Sequence, residues 1–168
     1  MMKNKKTSQL SWLCISVLVV VLDLLSKAWV SSSLDTSSVL PIFPCLNFIL
    51  AHNTGAAFSF LGWADGWQRW LFVVISSGVC VYLIYLLYRG GVSRWQACAI
   101  ALIIGGAIGN LYDRLTLGYV IDFIDFFIHH RHFATFNLAD SAISIAAVIW
   151  IVTSCKESRK NTRKNENS

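Results

Sequence analysis

The chain has 168 residues and a mass of 18.8 kDa, the size of a single domain, because a second domain is rare below about 200 residues. Hydrophobic residues make up 55% of the sequence and charged residues 14%, whereas charged residues make up about 25% of soluble domains. This composition excludes a disordered chain, a disulfide-rich miniprotein and a soluble nucleotide-binding enzyme. The net charge of +5 comes from basic residues that collect at the two ends of the chain, so we expect a membrane protein with no nucleic-acid partner.

Four apolar stretches divide the chain, each close to the roughly 20 residues that a bilayer-spanning helix needs. They cover residues 10–30, 70–88, 95–112 and 133–153. The first begins with basic residues like a signal peptide, but Asp23 and Lys27 interrupt it and no small-x-small cleavage site follows, so we interpret it as a retained helix. The sequence therefore predicts one all-α membrane domain over residues 1–168.

The basic residues that flank the spans predict the orientation. Ten of them fall on one face of the predicted membrane domain: Lys3, Lys5, Lys6, Arg89, Arg94, Lys156, Arg159, Lys160, Arg163 and Lys164. Residues 31–68 contain no Lys or Arg, and the connection between spans three and four contains only Arg114 and Arg131. The positive-inside rule then places both termini in the cytoplasm and these two connections outside.

The segments outside the spans carry their own patterns. Residues 31–69 contain short apolar runs broken by Pro and Asn, which predict short strands at the membrane surface. Trp63, Trp67 and Trp70 predict a short interfacial helix, because Trp prefers the depth of the lipid headgroups. Residues 156–168 are rich in Ser, Asn, Lys and Arg and predict a solvated, disordered tail.

Ionisable residues inside a span are functional hypotheses by default, since each costs about 2.5 to 3.5 kcal/mol at the membrane centre. Asp23 and Lys27 lie one helical turn apart in span one, which suits either a structural ion pair or a site for substrate or lipid headgroups.

Span three ends in glycines followed by polar residues. Gly105 and Gly109 form a small-x-x-x-small face that favours close helix packing. Asn110, Asp113 and Arg114 follow at the outer membrane edge, where polar groups need partners or water.

Four carboxylates crowd the outer ends of spans three and four: Asp113, Asp122, Asp125 and Asp140. Two carboxylates that share one proton are the machinery of an aspartyl protease, in which one activates water and the other protonates the carbonyl. Asp140 is the natural first member. Arg114 directly follows Asp113 and favours a structural role there, whereas Asp122 and Asp125 both lie in an apolar stretch, and their spacing does not separate them.

Rival functions fit less well. The sequence lacks H-E-x-x-H and G-x-S-x-G, and the Gly-x-Gly-Asp of presenilin-like proteases is also absent. His129, His130 and His132 offer a metal site as an alternative, although histidines on a short outer loop are more often interfacial. A small transporter would spread its polar groups through the midplane, and a non-catalytic assembly subunit would not need repeated carboxylates.

Five blocks of the sequence, in order, resemble the bacterial lipoprotein signal peptidases, also called type II signal peptidases. They are DLLSK at 23–27, NTGAAF at 53–58, GGAIGNLYDR at 105–114, VIDF at 120–123 and FNLAD at 136–140. The resemblance implies four transmembrane helices with a small extracytoplasmic β-cradle and an interfacial helix. It also implies a catalytic dyad of Asp122 and Asp140, and substrate-binding or structural support from Asp23, Lys27, Asn53, Asn110, Asp113, Arg114 and Asn137.

The activity implied by the resemblance is removal of the signal peptide from diacylglyceryl-modified prolipoproteins, just before the lipidated cysteine. The enzyme would lie in the bacterial inner membrane with its active site near the outer leaflet. We expect prolipoproteins and membrane lipids as partners, no metal or other cofactor, and a monomer.

Overall fold

A computed structural model describes residues 7–55, 66–129 and 131–166, and within them four helices are long and apolar enough to cross a membrane. They are α1 (Leu13–Ser33), which a short 3-10 turn at Leu10–Trp12 precedes, α2 (Trp67–Arg89), α3 (Arg94–Thr116) and α4 (Leu138–Glu166). Each contains most of one predicted span. The four-span prediction is therefore confirmed.

Helix α3 is the centre of the bundle. It packs against the other three helices, and 50% of its spanning segment is buried inside the protein, against 17–22% for the others. Its glycines explain how close the helices come. Gly105 lies against Val19 of α1, and a methyl group on Gly106 would collide with the carbonyl oxygen of Ala139 in α4. Gly109 also lies against α1, so the predicted packing face of Gly105 and Gly109 is confirmed, and Gly106 packs on α4 from another face of the helix.

Four antiparallel strands form a sheet at the end of the bundle where α1 ends and α4 begins. The strands are β1 (Val39–Phe43), β2 (Leu46–Asn53), β3 (Val120–Ile128) and β4 (Arg131–His132), and they are ordered β1-β2-β3-β4. The sequence predicted strands only in the connection after span one. Strand β3 comes from the apolar stretch after span three, whose Val, Ile and Phe residues favour a pleated sheet.

The predicted start of span four at residue 133 is wrong, because α4 begins at Leu138. The residues before it form a strap along β3, where Phe136 exchanges backbone hydrogen bonds with Ile124. Asn137 then caps the helix. Its side-chain oxygen accepts the Asp140 N–H at 2.9 Å, and the Asp140 carboxylate accepts the Asn137 N–H at 3.3 Å. This reciprocal capping box fixes the first helical residue.

Two other predictions concern the tail and the interfacial helix. The predicted disordered tail is wrong for the described backbone, which stays helical through Glu166. No Gly or Pro follows Cys155, and extending an existing helix avoids the cost of nucleation. Of the predicted interfacial helix, Trp67 and Trp70 lie in the first turn of α2, whereas Trp63 lies outside the described residues.

Candidate active site

Asp122 and Asp140 line one cavity of about 530 Å³ at the sheet end of the bundle. Strand β3 supplies Asp122, and the first turn of α4 supplies Asp140. Asn110 and Arg114, near the end of α3, form the polar wall of the cavity beside these two acids. The connection between α3 and α4 therefore meets the ends of these two helices at one point, as the crowding of carboxylates in the sequence indicated.

Asn137 links the two carboxylates. This side chain is fully buried, and its Nδ2 donates to Asp122 Oδ1 at 2.7 Å while its Oδ1 accepts the Asp140 N–H. The same Nδ2 also lies 3.0 Å from Asn110 Oδ1 and 3.2 Å from the Ile121 carbonyl oxygen. Two amide hydrogens are thus shared among three acceptors, which fixes the orientation of this side chain.

Asn110 forms a second link. Its Nδ2 donates to Asp140 Oδ1 at 2.8 Å, and its Oδ1 accepts from Asn137 and from Lys27 Nζ, the latter at 3.1 Å. A buried amide therefore connects the carboxylate of α4 to the intramembrane cation of α1. Asn110 is the residue between Lys27 and Asp140, so a substitution at Lys27 acts on Asp140 through Asn110.

Lys27 forms ion pairs with two acids. Its Nζ lies 2.7 Å from Asp23 Oδ2 and 2.9 Å from Asp113 Oδ2. Each acid also holds a backbone amide beside the candidate dyad. Asp23 accepts the N–H of Ala139, at 2.9 Å, and Asp113 accepts the N–H of Ile121, at 3.2 Å. The ion-paired cluster therefore fixes the residue before Asp140 and the residue before Asp122.

Asn53 and Arg114 complete the polar wall. Asn53 Nδ2 donates to Asp122 Oδ2 at 2.9 Å. Arg114 Nη2 donates to the Gly55 carbonyl oxygen at 2.9 Å, and its guanidinium lies 5.0 Å from the ring centre of Phe72. All nine residues named as catalytic or supporting from the sequence thus belong to one connected network, although their individual roles stay predictions.

The pKa of Asp122 rises from 3.8 to about 7, chiefly because burial penalises the charged form. The hydrogen bond from Asn53 lowers this pKa, and the nearby charge of Asp140 raises it. With a pKa of about 7, the carboxyl group of Asp122 can hold or release a proton near neutral pH, as acid and base chemistry on an amide requires. Asp140 accepts hydrogen bonds from two amides and faces the positive charge of Arg114.

Asp125 lies elsewhere. Its carboxylate accepts from Asn47 Nδ2 at 3.2 Å and lies 2.9 and 3.0 Å from His132 Nδ1, and it does not line the cavity with Asp140. Geometry therefore distinguishes the two β3 carboxylates that spacing left equal.

The two histidines of the cluster that the structure describes, His129 and His132, do not form a metal site with other described residues. His132 contacts Asp125, His129 is exposed at the turn, and His130 lies outside the described residues. Over the described ranges, no group of three His, Cys, Asp or Glu side chains is placed to hold a metal ion.

Sequence reasoning missed part of the cavity. The strap contributes Ala134, Thr135 and Phe136, and α4 contributes Ser144 and Ile145 beyond its first turn. Ala134 and Thr135 directly precede the FNLAD block, and Phe136 is its first residue, so their position along the chain was a usable signal. The α4 residues lack such a signal, because they look like any lipid-facing part of a span.

Comparison with known proteins shows which family the chain belongs to. The family model of signal peptidase (SPase) II matches residues 15–156. The lipoprotein signal peptidase of Yersinia pseudotuberculosis is 52% identical over 143 residues, which is 84% of this chain and 85% of that protein, and the one from Yersinia enterocolitica is 51% identical over the same shares. A bacterial membrane enzyme solved by the in meso method at 2.3 Å resolution superposes with a TM-score of 0.79, at 28% identity, over 94% of both chains. The chain therefore belongs to the signal peptidase II family of membrane-spanning proteases.

Proposed function

We propose that this chain is an aspartic endopeptidase that cleaves diacylglyceryl-modified prolipoproteins just before the lipidated cysteine. The observation that carries the proposal is that Asp122 and Asp140 line one cavity and both bind Asn137. The side-chain amide of Asn137 donates to the Asp122 carboxylate, and its backbone N–H donates to the Asp140 carboxylate. Membership of the signal peptidase II family supports a peptide bond as the target.

The proposed reaction needs one protonated and one ionised carboxyl group. Asp140, with its amide donors and the positive Arg114 nearby, is suited to the ionised form and takes a proton from water. The water oxygen then bonds to the carbonyl carbon, while Asp122 gives its proton to the carbonyl oxygen. When the C–N bond breaks, Asp140 gives its proton to the cysteine nitrogen and a hydroxyl of the tetrahedral intermediate returns one to Asp122. The signal peptide leaves with a new carboxyl group, and the pair again holds one proton.

The cavity suits a substrate that enters from the membrane. It reaches from the two carboxylates to Ser144 and Ile145 in the second turn of α4, and Ile145 is 54% exposed on the membrane-spanning segment. A signal helix could lie along this face while its cleavage site meets the carboxylates.

Both acids come from one chain, so a monomer is sufficient for the proposed reaction. A rate per enzyme molecule that changes with enzyme concentration would contradict a monomer.

The proposed location is the bacterial inner membrane, with both termini in the cytoplasm and the sheet end near the outer leaflet. The ten basic residues on the opposite face support this orientation. Reporter fusions after Lys160 and between Arg89 and Arg94 should report cytoplasm, and a fusion at Thr54 should report the outer side. A cytoplasmic signal at Thr54 would contradict the orientation.

The proposed function is tested with purified protein and two forms of one prolipoprotein, with and without the diacylglyceryl group. Cleavage of the modified form alone, with the new N-terminus at the lipidated cysteine by mass spectrometry, is the expected result. Equal cleavage of both forms, or cleavage at another bond, would contradict the proposed substrate class.

A further inference from the structure

The strap, residues 133–136, is one wall of the cavity, and it is held unevenly. At its far end Phe136 exchanges two backbone hydrogen bonds with Ile124, of 2.8 and 3.1 Å. At its near end a single backbone bond of 2.9 Å joins the Phe133 N–H to the Phe126 carbonyl oxygen. Strand β4, which leads into the strap, has only two residues. The near end is therefore held by this one bond, by the short β3–β4 pairing and by the rings of Phe126 and Phe133, whose centroids are 5.6 Å apart.

A side-chain pair reinforces the near end. His132, the last residue of β4, places Nδ1 2.9 and 3.0 Å from the two oxygens of Asp125. Its ring also stacks on Phe127, with centroids 5.3 Å apart and planes inclined by 25°. The imidazole is thus fixed by a hydrogen bond in its plane and by a ring on its face.

Asp125 is a firm anchor for this contact. The residue is 3% exposed on β3, and a buried carboxylate without partners would be strongly destabilising. Asn47 of β2 supplies one partner and His132 supplies the other. The contact with His132 therefore also satisfies the buried acid, so the sheet favours the position that the strap has in the structure.

We propose that Asp125 and His132 are positioning residues that hold the strap as the wall against which the substrate is bound. The proposal rests on the proposed function, because it assigns Ala134 and Thr135 to substrate contact in the same cavity. The pair touches neither Asp122 nor Asp140 in the described residues, so it acts on binding and leaves the chemical step to the dyad.

Steady-state kinetics on the lipid-modified substrate test this assignment. His132→Ala should raise KM about 5- to 10-fold with kcat within about twofold of wild type, the pattern of lost binding. His132→Asn should restore KM to near the wild-type value, because its amide nitrogen takes the place of Nδ1. The control is His129→Asn in the turn that follows β3, where φ is 55°, a conformation that Asn tolerates.

Amide hydrogen exchange supplies a readout without substrate. His132→Ala should speed exchange at Phe133 and leave the amides of α3 protected, and His132→Asn should reverse that change. Unchanged KM in an active His132→Ala enzyme, or a KM in His132→Asn as high as in His132→Ala, would overturn the positioning role. Wild-type protein that leaves the lipid-modified substrate intact would instead overturn the proposed function, and with it the role of the strap in binding.

Discussion

Strand β3 carries two carboxylates three residues apart, and their surroundings differ more than their sequences do. Asp122 is 2% exposed and Asp125 3% exposed. Asp122 meets the amides of Asn53 and Asn137 and opens on the cavity, whereas Asp125 meets the amide of Asn47 and a histidine and does not line the cavity. Burial alone therefore does not select the proposed catalytic acid. What distinguishes Asp122 is its place on the cavity beside Asp140.

The largest expected effect is at the other member of the pair. Asp140→Asn keeps size and removes the proposed base, so kcat should fall by about 10³-fold or more. Because residues that act as one unit are strongly non-additive, Asp122→Asn combined with Asp140→Asn should be scarcely slower than either alone. Turnover of lipid-modified substrate with matched folded protein measures both. Additive losses would show that the two acids act separately.

Loss of the intramembrane cation should act mainly on stability. Lys27→Met leaves Asp23 and Asp113 buried without their cation and should destabilise the protein by about 3–5 kcal/mol. Asp23→Asn should cost less, since Lys27 keeps Asp113 at 2.9 Å. Unfolding in detergent and the amount of folded protein measure the difference. Normal stability of Asp23→Asn with lost turnover would place Asp23 in substrate handling instead.

The pKa of Asp122 predicts a basic limit to activity. Since this carboxyl ionises at about pH 7, the shared proton is lost above that pH, and kcat/KM should fall as pH rises further. A rate that stays constant up to pH 9 would contradict the assignment of Asp122 as the proton donor.

Stability gives a second readout of the same pKa. The folded state holds the Asp122 proton more tightly than the unfolded chain, so this stabilisation is complete below about pH 4 and is lost as pH rises to about 7. Asp122→Asn does not titrate. Its stability relative to wild type should therefore increase across that window, by on the order of 4 kcal/mol, and a pH-independent difference would contradict the raised pKa.

The smallest expected effect is that of metal removal. The carboxylate pair requires no metal, so activity in detergent should survive strong chelators within about twofold, whereas metal sites lose activity when their ion is removed. Loss of activity that zinc restores would revive the histidine cluster as a metal site.

Much of the architecture was predictable because it follows from local sequence. The four spans needed only length and hydropathy, and the supporting residues stood out as polar groups in apolar segments.

What was not predictable depends on long-range pairing. Asp122 and Asp125 differ because β3 pairs with β2 and β4 in one register, which places Asn47 and His132 beside Asp125. Nothing within the VIDFID segment encodes that arrangement. The start of α4 was misplaced for a similar reason, since the apolar Phe133 and Phe136 pack along β3 rather than joining the helix.

The matched pair Asp122→Asn and Asp125→Asn tests the central claim most directly. Both substitutions preserve size on the same strand, and turnover of lipid-modified prolipoprotein would be measured with equal amounts of folded enzyme. Asp122→Asn should lower kcat by about 10³-fold or more, whereas Asp125→Asn should keep kcat within a few fold. Near wild-type turnover by Asp122→Asn, or inactivation by Asp125→Asn alone, would contradict the account.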